Sequence, residues 1–116
     1  MYQKAYQDIA GEDYSAERNN EALALDHAIN LMKEGEAAGM DSVEAVKAAH
    51  FVRRLWFHFL DDLTMPENGL PDELKANLIS IGIWILRELD RMGEGEGRGF
   101  GDIMEIMGMI KKGLTA

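Results

Sequence analysis

Cysteine is absent from the chain, which rules out a disulfide framework and thiolate catalysis and is compatible with a reducing compartment. Proline is nearly as scarce: Pro66 and Pro71 are the only two, so rigid backbone punctuates the sequence in one place. Histidine is confined to His27, His50 and His58, none of them three or four residues from another. No helical turn therefore presents two imidazoles to a metal, and no metal or other cofactor is expected. Long apolar runs are missing too. The most apolar stretch, 78–86, is nine residues interrupted by Ser80 and Gly82, against about 20 needed to cross a bilayer. The N-terminal MYQKAYQDIAGED lacks the unbroken apolar core of a signal peptide, which predicts a cytoplasmic protein.

Basic charge is also in short supply. Twelve lysines and arginines face twenty-one acidic side chains, net −9, a balance that repels phosphate backbones and anionic lipid heads. Direct DNA binding and membrane binding are not expected, and RNA only through a partner. The acid is uneven: residues 1–44 hold ten acidic and three basic residues, while 45–116 hold eleven and nine.

What is present describes a globular domain. At 116 residues, 47% hydrophobic and 28% charged, the chain suits one ordered core rather than two or none. Residues 1–14 scatter Tyr2, Tyr6, Ile9 and Tyr14 among polar neighbours and read as an arm whose aromatics dock on the parent domain or on a partner. Ser15 is the expected N-cap of helix A, about 15–37, with Ala22, Leu25, Ile29 and Met32 at helical spacing. Gly39 stops it, and the capping-box spacing of Asp41 and Glu44 starts helix B, which runs to Leu63 with an apolar stripe widening through Val52, Leu55, Trp56 and Phe59.

The segment MPENGLP at 65–71 is a loop, its Asn68-Gly69 pair suited to left-handed turn geometry. Helix C follows Pro71 and runs to about Met92. Nine large apolar side chains, from Leu74 to Leu89, make it the expected centre of the fold, with an upper bound of roughly 13–27 kcal/mol if all were buried. They form two stripes, and Gly82 between them predicts close approach of helix A or B. The glycine-dense 93–101 reads as a flexible linker, leading to a helix of about 102–112 capped by Asp102. The predicted fold is an all-α bundle of three main antiparallel helices plus a short tethered C-terminal helix: arm 1–14, core 15–92, linker 93–101, last helix 102–116.

On that last helix Ile103, Ile106, Met107 and Ile110 share one face beside adaptable methionines. They are candidate partner-binding residues together with Tyr2 and Tyr6, and the same helix equally suits folding back as a fourth member of the bundle. Chemistry has little support. Asp61 and Asp62 point about 100° apart around a helix and suit ion pairs with Arg87 or Arg91, not a shared substrate. No serine has a local base, and the glycines match no phosphate-binding fingerprint. Arg53 and Arg54 beside Trp56 offer a weak RNA-stacking pattern, against the stronger alternative of surface ion pairing and a buried indole. A non-enzymatic binding protein is the expectation.

The segments RRLW at 53–56, DL at 62–63, PENGLP at 66–71, EL at 73–74 and LISIGIWILRE at 78–88, in that order, cover about 36 continuous residues. They resemble the bacterial flagellar regulator family FlaF. Weaker similarity extends to MYQKAYQ at the N-terminus, LALDHAI at 23–29 and GL at 113–114. The resemblance implies a small helical cytoplasmic protein acting in flagellin synthesis and export, opposite the repressor FlbT, and binding flagellin as a secretion chaperone. FlbT and the export apparatus are further implied partners. Two alternatives stand beside this one: post-transcriptional control of flagellin mRNA through a partner such as FlbT, and a structural helical homodimer joined through the second stripe of helix C. The motif residues Arg53, Arg54, Leu55, Trp56, Pro66, Asn68, Pro71, Ile81, Gly82 and Trp84 read mainly as structural.

Overall fold

The computed structural model describes residues 11–95 and 99–115, with side chains over 20–95 and 99–113. The described residues form four helices: α1 (Gly11–Ala38), α2 (Val43–Leu63), α3 (Asp72–Gly93) and α4 (Gly101–Thr115). They make an all-α bundle in which α1 packs on α2 and α4, and α2 packs on α1 and α3. Neighbours run antiparallel, as the pairings of Gly35 with Ala45, Arg53 with Asp90 and Asp26 with Lys111 require.

The α1–α2 seam follows from where small residues fall. Leu25, Ala28 and Met32 of α1 are buried in one cluster with Ala45, Ala48, Val52 and Trp56 of α2. Gly35, Ala45 and Ala48 cluster at the connecting end, so the helices approach closely there. A Cβ on Gly35 would lie 2.8 Å from the Ala45 Cα. Farther from the turn, side chains grow and Trp56 fills the wider space. Its indole N–H has no hydrogen-bond partner among the described residues.

Local chemistry sets the helix ends, with several differences from expectation. α1 already includes Ser15, so that serine is not its cap. At the other end Gly39 takes φ +108°, the left-handed conformation that glycine supplies without strain. The cap of α2 is Ser42 rather than Asp41: the Ala45 N–H donates to its Oγ at 3.1 Å, and that hydroxyl donates to the Gly39 carbonyl at 2.6 Å.

The 64–71 loop is held by a side chain, not by a left-handed turn, since neither Asn68 nor Gly69 has positive φ. Asn68 is buried; its Nδ2 donates to the Asp62 carbonyl at 3.3 Å and its Oδ1 accepts the Leu70 N–H at 3.1 Å. Removing both bonds with Asn68→Ala should cost about 1–3 kcal/mol. Urea unfolding will show this as a lower midpoint at unchanged slope, with Asn68→Asp, which keeps the acceptor, falling between alanine and wild type.

Helix α3 is not the centre of the fold. It packs on α2 at an edge, and of its nine large apolar side chains from Leu74 to Leu89 only Ile85 and Leu89 are fully buried. Gly82 does mark the close approach, against α2: a Cβ there would sit 2.8 Å from Leu60 Cδ2 and 2.9 Å from Trp56 Cε3. The second stripe faces outward, with Ile83 exposed and Ile79 and Leu86 half-buried. The carboxylates of Asp61 and Asp62 do not pair with Arg87 or Arg91. Arg91 bonds Glu88 on its own helix at 3.4 Å, and Arg53 to Asp90, 2.8 Å, is the ion pair joining α2 to α3.

Candidate protein-binding surface

The C-terminal helix docks along α1. Its seam residues Ile103 and Met107 recur at helical spacing and are buried with Leu25, Ala28 and Met32 in the same core that holds Val52 and Trp56. Polar ties fasten its ends. At the far end Lys111 Nζ meets Asp26 Oδ1 at 2.8 Å. The hydrogen bond from Lys111, together with its charge, holds the Asp26 carboxyl below its ordinary value of 3.8.

At the near end the cap of α4 comes from another helix. Phe100 occupies the N-cap position, its carbonyl accepting the Met104 N–H at 2.8 Å, and its own N–H donates to Glu36 Oε2 at 2.8 Å. In a capping box a glutamate three residues on reaches back to the cap N–H; here Glu36 of α1 supplies that carboxylate from 64 residues away. A negative charge beside the positive end of α4 is also favourable. Asp102, expected to be the cap, lies in the first turn instead. Gly99 has φ +99°, and a Cβ there would stand 2.8 Å from Glu36 Oε2, so the carboxylate reaches the chain only because this position is glycine.

The linker is therefore anchored at its end. Phe100, counted within a flexible segment by composition, is buried against α1 and α2 beside Gly35. The aromatic side chain in a run otherwise made of glycine and charge was the available signal. Glu36 and Gly35 gave none, because what they touch is far away in sequence.

Of the candidate partner-binding residues, Ile103 and Met107 are turned into the chain's own core, while Ile106 and Ile110 are half-buried along its edge. Tyr2 and Tyr6 lie outside the described residues. The motif residues divide similarly. Trp56, Asn68 and Gly82 are buried, and Leu55, Ile81 and Trp84 pack half-buried against the core or its margin. Pro66 and Pro71 bracket the loop from exposed positions, Pro71 just before α3. Arg53 bridges to α3, whereas Arg54 points to solvent. With its indole buried, Trp56 offers no face for stacking a base.

No helix among the described residues is long and apolar enough to cross a membrane. In comparison with known families, the model of the flagellar protein FlaF matches residues 2–114, nearly the whole chain. No curated protein and no solved structure matches it significantly.

Proposed function

Because the chain belongs to the FlaF family of flagellar proteins, we propose that it is a non-enzymatic cytoplasmic regulator of flagellin synthesis and export that binds flagellin as a chaperone. The observation that supports this reading is the way α4 is held: an amphipathic helix seated on α1 by Phe100, Ile103 and Met107, with polar ties from Phe100 to Glu36 and from Lys111 to Asp26. An amphipathic segment of an unassembled partner has the same chemistry and can take its place on Leu25, Ala28 and Met32. A chain that waits disordered until assembly gains there the apolar contacts it lacks alone.

Size-exclusion chromatography with light scattering, on the protein alone and mixed with unassembled flagellin from the same bacterium, tests the binding. A complex of defined stoichiometry is expected. Separate elution at micromolar concentration would refute direct binding and turn attention to FlbT or the export apparatus. Deleting residues 100–116 removes the competing helix and should tighten flagellin binding by about tenfold, equivalent to about 1.4 kcal/mol. Unchanged affinity would refute displacement.

A further inference from the structure

The solvent-facing side of α2 has a chemistry unlike the rest of the molecule. Up to its last turn, over 43–60, α2 holds Lys47, Arg53 and Arg54 against Glu44 alone, and Asp61 and Asp62 follow, so the helix is neutral in a chain of net −9. Within α2, Val43, Val46, Lys47, His50, Arg54 and Phe57 fall at offsets 0, 3, 4, 7, 11 and 14, which places them within about a third of the helix circumference, and exposed Asp61 at offset 18 ends the same line. All six are exposed, Val46 at 64% and Phe57 at 55%. Their line extends for about 20 Å.

Among the described residues nothing covers this face. Within the RRLW segment Arg53 holds Asp90, Leu55 packs beside the core and Trp56 fills it, while Arg54 has no ion pair or hydrogen bond among the described residues. Lys47 is likewise without a carboxylate partner there. Two unpaired cations between exposed apolar side chains are arranged as an amphipathic partner helix requires: apolar contact from Val46 and Phe57, and ion pairs that fix orientation from Lys47 and Arg54.

We propose that this outer face of α2 is a docking surface for an acidic amphipathic helix of a partner protein. The charge selects the occupant. Pairing the face with itself in a second copy sets Lys47 and Arg54 against like charges, which opposes an isologous dimer here. Nucleic acid is disfavoured because two unpaired cations, Lys47 and Arg54, are few for a phosphate backbone and the face offers only Phe57 and His50 as exposed rings. The surface is separate from the α1 groove that holds α4, so the proposal does not rest on flagellin binding.

The test uses the full chain and a fluorescent helical peptide of about 20 residues with a leucine stripe flanked by glutamates. The same peptide with lysines replacing the glutamates and a single-stranded RNA of similar length serve as comparisons. By fluorescence anisotropy the acidic peptide should bind, weakening about tenfold between about 50 and about 500 mM salt, and the lysine peptide should not bind. Lys47→Glu with Arg54→Glu should reduce acidic-peptide affinity at least about tenfold and Phe57→Ser by a similar factor, with the melting curve unchanged because these side chains are exposed.

Equal binding of both peptides, no binding of the acidic one, or full retention by the double variant overturns the proposal. So does RNA binding in place of peptide binding. A concentration-dependent doubling of mass that the double variant abolishes would assign the face to a second copy and overturn it too.

Discussion

Replacing Gly35 with valine is expected to lower the melting temperature by about 15–20 °C, corresponding to a loss on the order of 3–5 kcal/mol. A Cβ at this position would stand 2.8 Å from the Ala45 Cα, 3.2 Å from its nitrogen and 3.3 Å from Phe100 Cε2. The nearest obstacle is backbone, which cannot turn aside as the end of a side chain can. Accommodation requires α2 to move off α1, opening the seam at its tightest end and disturbing the Phe100 seat at once. Alanine is the milder case, because about 1 kcal/mol of helix propensity gained over glycine offsets part of an overpacking cost of about 1–3 kcal/mol. The β-branched side chain adds bulk where none fits. Gly82→Ala is the control: its obstacles are the side chains of Leu60 and Trp56, and half-buried Leu60 can rotate. Thermal unfolding followed by circular dichroism should rank Gly35→Val as most harmful, then Gly35→Ala, then Gly82→Ala. A Gly35→Val protein melting within a few degrees of wild type would show that the helices do not need this approach.

The features readable in the sequence were those decided by neighbours along the chain. The end of α2 before Pro66, the loop at 64–71 and the stop at Gly39 were marked by residues close in sequence, whereas the cap fell at Ser42, one residue past the Asp41 that the spacing suggested. The close approach at Gly82 was legible because a glycine inside an apolar helix must be compensated by packing.

Helix α3 departs from its expected central place for a physical reason. Apolar content states how much surface a helix offers to bury, but the number of neighbouring helices decides how much is buried. α3 has α2 beside it, while the far side of α1 is taken by α4. What places α4 there was not legible at all: Glu36 with Phe100 and Asp26 with Lys111 are separated by 64 and 85 residues. An acidic residue on an acidic helix gives no sign that it will receive an N–H from the far end of the chain. The candidate site suffers from the same limit, because an apolar stripe on a short helix looks alike whether it meets a partner or its own core.

Substituting Met107 by aspartate is expected to release α4 and leave the α1–α2–α3 hairpins standing. Met107 is fully buried, and Lys111, one turn further along α4, is held by Asp26 at 2.8 Å. Keeping a carboxylate there, unpaired and dry, costs several kcal/mol. The alternative is to surrender the burial of Phe100, Ile103 and Met107, at most about 1.5–3 kcal/mol each on apolar-transfer grounds. The two are comparable, and undocking also returns conformational freedom to a fifteen-residue helix. Release therefore wins, and it is local because α4 packs on α1 whereas α2 and α3 hold each other through Arg53–Asp90, Ile85 and Leu89. Hydrogen exchange should show amides 101–115 losing protection while those of α2 and α3 keep most of theirs. Without Lys111 beside it, the Asp26 carboxyl should rise towards its ordinary value, a shift that NMR titration detects independently of exchange. Met107→Leu, which keeps volume and polarity, should change little, below about 1.5 kcal/mol. If α4 stays protected in the aspartate variant, its seat does not depend on the apolar seam. If it is released and flagellin then binds more tightly, the helix and the partner compete for Leu25, Ala28 and Met32, and α4 is a stand-in for the segment this groove receives.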